Sequence, residues 1–112
     1  PSLVEGQFEG GVVQAAGYTL MENFITQKGK TLTKELSTYL IPTSADIPEH
    51  VESLILEYPD PIGPYGARGM GEMPYLPFVP AVIDAVYQAI GIRFNTFPLT
   101  AEAVLRGLGK IN

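Results

Sequence analysis

The chain of 112 residues carries 7 basic and 12 acidic side chains, a net charge of −5, and no cysteine. The missing thiols exclude a disulfide framework, a thiolate nucleophile and cysteine ligation of an iron–sulfur centre, and they leave the redox compartment open. One histidine, His50, cannot build a zinc site alone, and no basic cluster beyond Lys28, Lys30 and Lys34 offsets the acidic balance, which speaks against nucleic acid as a partner.

The length allows one domain with one modest core. No apolar run approaches the roughly 20 residues of a membrane-spanning helix, and no secretory leader is visible. Glycine (12) and proline (10) are in excess and clustered: ten of the 22 residues from Pro59 to Pro80 are one or the other.

The first segment predicts a long helix. Val4, Phe8, Val12, Ala16, Leu20 and Phe24 recur at i+4 and draw one apolar ridge around it. Gly10, Gly11 and Gly17 each weaken such a helix by about 1 kcal/mol relative to alanine, so they need a reason. Gln7, Gly10, Gln14 and Gly17 fall on the side away from the ridge and form a flat polar strip. Such a strip suits a flat ligand. It equally suits a neighbouring helix seated on the glycines, with the amides bonded to backbone.

Lys28-Gly29-Lys30 predicts a turn. Thr31 to Pro42 is consistent with extended chain or a short helix, and Ile41 to Pro48 reads as an ordered loop because each proline biases its predecessor away from the helical region. Val51 to Tyr58 (VESLILEY) predicts one strand, with His50 a solvated loop side chain just before it. A second helix carries Val79, Val82, Ile83, Val86, Tyr87 and Ile90, with Pro77 or Pro80 in or before its first turn and Gly91 closing it. Thr100 caps a short helix from Ala101 to Arg106.

The fold class is α+β, with more helix than strand and no internal domain boundary: residues 1–112 form a single segment. A lone strand leaves both its edges unpaired. Its partners are expected in polypeptide outside these residues, in keeping with a chain that begins Pro1-Ser2 without an initiator methionine.

The sharpest local feature is Arg68-Gly69-Met70-Gly71-Glu72-Met73-Pro74. Two glycines, free to take positive φ, end in one carboxylate just ahead of an apolar helix. This presents a single general base to a buried site, where desolvation favours the protonated form of a carboxyl. The alternatives are that Glu72 caps the following helix or pairs with Arg68. The glycines match neither a GxxxxGK[ST] nor a GxGxxG phosphate loop.

The runs GQFEGGVVQAAGYTLMENF, STYLIPTSADIP and GARGMGEMPYLPFVPAVIDAVYQAIGIR, in this order, resemble the C-terminal part of the molybdenum-binding subunit of the xanthine dehydrogenase and aldehyde oxidoreductase family. The likeness runs from Gly6 to about Arg106. It implies the C-terminal portion of a molybdopterin-binding domain in an enzyme that oxidatively hydroxylates an N-heterocycle or an aldehyde. By position in the motif, Glu72 is the base that takes a proton from a molybdenum-bound hydroxyl. Gln7 is the glutamine that touches the pterin cofactor, and Gln14 fits the same strip. No residue of the chain is expected to ligate the metal.

The likeness further implies FAD and 2Fe-2S clusters on other domains or subunits, the rest of the molybdenum-binding subunit as a partner, a small-molecule substrate, and a cytoplasmic location. Met73 and Ala15-Ala16 depart from the family's common pattern, Met73 in a way that narrows or reshapes the pocket. Most of the cofactor cage lies elsewhere, so the chain alone is expected to be inactive and to self-associate. The alternative is a non-catalytic assembly or small-molecule-binding domain on the same scaffold. A stand-alone carboxylate hydrolase would need a second acid or a nucleophile beside Glu72, and none is evident.

Overall fold

A computed structural model describes every residue from Pro1 to Asn112. In chain order the elements are helix α1 (Ser2–Leu20), a hairpin of β1 (Thr26–Gln27) and β2 (Lys30–Thr31), helix α2 (Tyr75–Ile90) and helix α3 (Ala101–Gly107). A single 3-10 turn at Pro64–Gly66 interrupts the long irregular stretch before α2. Helix exceeds strand, as the sequence predicts.

Helix α1 stops at Leu20, before Phe24. Thr19 Oγ1 bonds back to the Ala15 carbonyl at 2.6 Å, and the backbone N–H groups of Met21 and Glu22 both turn onto the Gly17 carbonyl. The predicted ridge Val4, Phe8, Val12, Ala16 is only half-buried. The fully buried row is instead Gly11, Ala15, Thr19, one residue per turn at i+4, with Gly17 beside it. Small residues occupy this row because proline rings of other segments come close there. A Cβ on Gly11 would stand 3.0 Å from the Pro74 Cβ, and one on Gly17 would stand 2.7 Å from the Pro42 Cδ. Gly11 and Gly17 are therefore packing glycines. Gly10 faces open space.

The turn at Lys28-Gly29 places both residues at positive φ, 49° and 76°, and joins strands in the register Thr26↔Thr31 and Gln27↔Lys30. Two central residues with φ > 0 give the hairpin twist that matches paired strands. In the stretch left open between strand and helix, only Thr31 is in a strand, and Thr38 and Tyr39 turn back onto the Glu35 carbonyl. Within the ordered loop of 41–48, the Thr43 backbone N–H and hydroxyl both donate to one Asp46 carboxylate oxygen, at 2.9 and 2.7 Å. These bonds, the hydroxyl's first, hold the Asp46 carboxyl below its ordinary range.

The strand predicted at Val51–Tyr58 does not form. The segment pairs with no other strand, and its one internal backbone bond runs from Tyr58 to Leu56. A strand is defined by its ladder, and no other segment of these residues lies alongside to complete one. Leu54, Leu56 and Tyr58 are left exposed.

Helix α2 has the predicted face: Val79, Val82, Ile83, Val86, Tyr87 and Ile90 are all half-buried. Pro77 lies in its first turn, whereas Pro80 sits inside the helix, where its missing N–H leaves one rung of the ladder empty. Gly91 closes the helix at φ 72°, its N–H on the Tyr87 carbonyl at 2.7 Å. Thr100 caps α3 by accepting from the Ala103 N–H at 3.1 Å. The Leu99 N–H on the Thr19 carbonyl, at 2.6 Å, ties this last segment to the end of α1.

The one packed helix pair is α1 with α2. The modest core that the length allows does not close. Of 112 residues 7 are buried, and only Ala15 and Leu99 among them are hydrophobic. The radius of gyration is 17.4 Å, against the roughly 13 Å of a compact domain of this length. The apolar faces of α1 and α2 are only half-covered, and Leu3, Leu54, Leu56, Tyr58 and Leu76 stand exposed.

Candidate functional site

Two elements meet where Glu72 stands: the N-terminal half of α1 and the glycine turn that leads into α2. Three contacts join them. Gln7 Nε2 donates to the Gly71 carbonyl at 2.9 Å. Gly11 gives room to the buried ring of Pro74. Further along, the rings of Tyr18 and Tyr75 stand 5.8 Å apart, with Phe97 5.6 Å beyond Tyr18. Residues 7, 11 and 18 thus face 71, 74 and 75 in the same order along the two elements.

Within the turn, Gly69 and Gly71 do not take positive φ, contrary to the sequence expectation. No atom of the chain would meet a Cβ on either one. Their smallness is spent on space beside the turn, not on backbone freedom. The positive-φ positions of this region are Tyr65 and Gly66, in the preceding 3-10 turn.

Arg68 is engaged away from Glu72. Its Nε donates to the Tyr58 carbonyl at 2.9 Å, and its guanidinium lies 3.6 Å from the Asp60 carboxylate. Neither alternative role for Glu72 is realised. The first residue before α2 is Pro74, with no side-chain cap, and the Glu72 carboxylate has no hydrogen bond or ion pair in the chain. Glu72 is exposed, so the dry surroundings expected for it are not supplied by these residues. Its backbone carbonyl accepts the Tyr75 N–H at 3.1 Å. The Tyr75 hydroxyl titrates above its ordinary range, chiefly through burial and then through the neighbouring Tyr18, Glu22 and Glu72.

Gln7 and Gln14 are both exposed and stand one above the other, two turns apart on α1, with the open face of Gly10 between them. Gln14 has no partner within the chain, and Gln7 uses one N–H on Gly71, leaving its carbonyl and second N–H free. The strip predicted from the sequence is thus real from Gln7 to Gln14. It ends before Gly17, which is filled by Pro42 and the Glu22 side chain. Unspent amide donors and acceptors beside an open glycine match the edge chemistry of a pterin.

Beside the turn runs an open apolar groove of about 1030 Å³, lined among others by Val4, Phe8, Leu54, Leu56, Met70 and Met73. The sequence reading did not place it, because the groove forms between α1 and segments far along the chain, a juxtaposition that no local pattern carries. Met73, the departure noted at the glutamate, lines this groove. No group of three or more His, Asp or Glu side chains is placed to hold a metal ion. His50 is exposed, and no helix is long and apolar enough to cross a membrane.

Comparison with known proteins gives this geometry a class. Residues 1–48 match the molybdopterin cofactor-binding domain family. The fold superposes on a crystal structure of quinoline 2-oxidoreductase from Pseudomonas putida 86 with a TM-score of 0.88 and 37% identity, over 100% of this chain and 15% of that one. The putative xanthine dehydrogenase molybdenum-binding subunit of Escherichia coli (strain K12) is 37% identical over 91% of this chain and 14% of its own length. The aldehyde oxidoreductase of Megalodesulfovibrio gigas is 35% identical over 93% of this chain and 11% of its own. By sequence and by fold the chain is similar, over nearly all of its own length, to one segment of the molybdenum-binding subunits of xanthine dehydrogenases and aldehyde oxidoreductases. It spans about a seventh of the length of the relatives it matches.

Proposed function

We propose that residues 1–112 are a C-terminal segment of the molybdopterin-binding domain in a molybdenum hydroxylase, and that Glu72 is the general base of its reaction. The observation that carries this reading is the state of Glu72. Its carboxylate is unpartnered and outward-facing, on a turn bonded to the helix that bears Gln7 and Gln14. A structural glutamate at such a place would cap α2 or pair with Arg68, and Glu72 does neither.

Gln7, through its free carbonyl and second N–H, and Gln14, through its whole amide, are the side chains of this segment that would hold the cofactor. When bound, the molybdopterin cofactor supplies the two-electron oxidation. The chain's own contribution is position and a proton site. Glu72 takes up the proton of the oxygen nucleophile at a carboxylate that no residue of the chain competes for, and Gln7 holds both the turn and the strip in one frame. The substrate class proposed is an N-heterocycle or an aldehyde, since relatives at comparable identity are named for quinoline and for aldehyde.

The remainder of the molybdenum-binding subunit covers the open groove and the unpaired segment Val51–Tyr58 in this reading, and it supplies the water exclusion that Glu72 lacks here. FAD and 2Fe-2S centres lie on other domains or subunits, the assembled enzyme is cytoplasmic, and the 112-residue segment alone does not turn over substrate. The test is Glu72→Gln in the intact enzyme. Turnover within a few-fold of wild type, with the cofactor still bound, would remove Glu72 from the base role.

A further inference from the structure

We propose that Gly11 is a positioning residue for Glu72, the seat against which Pro74 locks the glutamate-bearing turn onto α1. This rests on the reading of Glu72 as the base and adds a buried residue that acts on it through Pro74.

The turn is free on most sides. Gly69 and Gly71 have no neighbouring atom where a side chain would begin, Glu72 is exposed, and Arg68 is drawn off toward Tyr58 and Asp60. A carboxylate on such a turn needs fixing from behind, and the structure offers two fixings. One is the Gln7 bond to the Gly71 carbonyl, which is exposed and so contributes modestly. The other is Pro74, the one buried residue between Arg68 and Ile90, whose Cβ, Cγ and Cδ lie 3.0, 3.4 and 3.6 Å from the point a Gly11 side chain would occupy. Proline lends rigidity, since its ring fixes φ and carries the seated atoms as one body.

Glycine is required at position 11 by space and not by backbone conformation, because it lies in regular helix. A methyl group there pushes Pro74 outward by a few tenths of an ångström, and a branched side chain pushes it further. The displacement is passed across one intervening residue, Met73, to Glu72. Misplacement of a catalytic group by about 1 Å costs on the order of 10²-fold in rate. Gly10, on the open side of the same helix, has no such neighbour and serves as the control.

The test uses the full-length, cofactor-loaded enzyme with Gly11→Ala, Gly11→Val, Gly10→Ala and Glu72→Gln. Gly11→Ala is expected to lower kcat several-fold and Gly11→Val by about 10²-fold. In both, KM should stay within about threefold and molybdenum content per chain should be unchanged. Gly10→Ala should leave the exchange described below unchanged.

The readout independent of activity is backbone hydrogen exchange. The peptide covering residues 68–76 should exchange several-fold faster in the Gly11 variants, while the peptide covering 82–90 keeps the wild-type rate. Loss of molybdenum, acceleration of α2 as a whole, or unaltered exchange at 68–76 would each overturn the proposal. If Gly11→Val does not fold, Gly11→Ala carries the test. If Glu72→Gln keeps near-wild-type turnover while exchange at 68–76 still responds to Gly11, the base assignment fails and the seat itself stands.

Discussion

The side-chain amide of Gln7 donates to the carbonyl of Gly71, so a residue in the second turn of α1 is bonded to the residue that precedes Glu72, 64 positions away in sequence. Two residues singled out separately, one for a cofactor and one for proton transfer, are thus parts of one frame. This bond divides the roles of the two glutamines. Gln7→Leu removes both the fixing of the turn and one cofactor contact, whereas Gln14→Leu removes only a cofactor contact. In the intact enzyme both variants should retain less molybdenum on gel filtration, by several-fold. Only Gln7→Leu should also speed hydrogen exchange in residues 68–76. Equal exchange in the two variants would mean that the Gly71 bond carries no positional weight.

The second prediction concerns the other end of α1. Gly17 is packed under Pro42, and an alanine there would overlap both the Pro42 ring and the Glu22 carboxylate. Glu22 in turn accepts the Tyr39 hydroxyl at 2.5 Å, a bond that holds the tyrosine above its ordinary titration range. Gly17→Ala should therefore destabilise the protein by about 1–3 kcal/mol, the usual cost of overpacking. It should also release Tyr39, lowering that tyrosine's titration toward the range of an unbonded phenol. The checks are a thermal melt of the full-length protein and ultraviolet titration against a Tyr39→Phe reference. An unchanged melting temperature would mean that Pro42 yields freely.

These packing glycines show where sequence reasoning succeeds and where it stops. The glycine and glutamine positions on α1 were legible because periodicity alone puts Gln7, Gly10 and Gln14 on one strip. Which side of each glycine is filled was not legible. Gly11 and Gly10 are adjacent and alike in sequence, yet one meets Pro74 and the other meets nothing. Helices α2 and α3 announced themselves through terminal signals that act locally, Gly91 at positive φ and the Thr100 hydroxyl on the Ala103 N–H.

The segment Val51–Tyr58 failed for the opposite reason. Its alternation is a request for a ladder, and a ladder is a property of two segments. For Glu72, the motif gave the residue and its turn, while the contacts that fix the turn come from residues more than sixty positions upstream.

A third prediction follows from the loop that holds Pro42 in place. Two bonds from Thr43 keep the Asp46 carboxyl below the ordinary aspartate value of about 3.9. A depressed native value means that the folded state favours the charged form. The contribution is therefore present above the unfolded value, and it disappears as pH falls through the folded one. The stability difference between wild type and Asp46→Asn should be constant near neutrality and should close below about pH 4. Paired melts at stepped pH measure it. A difference that persists unchanged to lower pH would show that the asparagine loses packing and not charge.

The last prediction returns to the outward-facing apolar surface. Leu54, Leu56, Tyr58 and Ile62 are exposed along one irregular stretch, the groove beside them is lined by Val4, Phe8, Met70 and Met73, and the buried hydrophobic set is Ala15 and Leu99 alone. Apolar exposure on this scale, joined to an extended segment with both edges unpaired, drives association. The net charge of −5 opposes it only weakly at ordinary salt.

Expressed as residues 1–112, the chain should sediment as a concentration-dependent mixture and bind a hydrophobic dye. Replacing Leu54 and Leu56 together by lysine should shift that mixture toward the monomer without changing its helix content, because neither side chain packs on α1 or α2 as a buried residue. A clean monomer at high concentration would show that these faces close on one another in solution. Unchanged association in the double lysine variant would move the contact to the apolar face of α2.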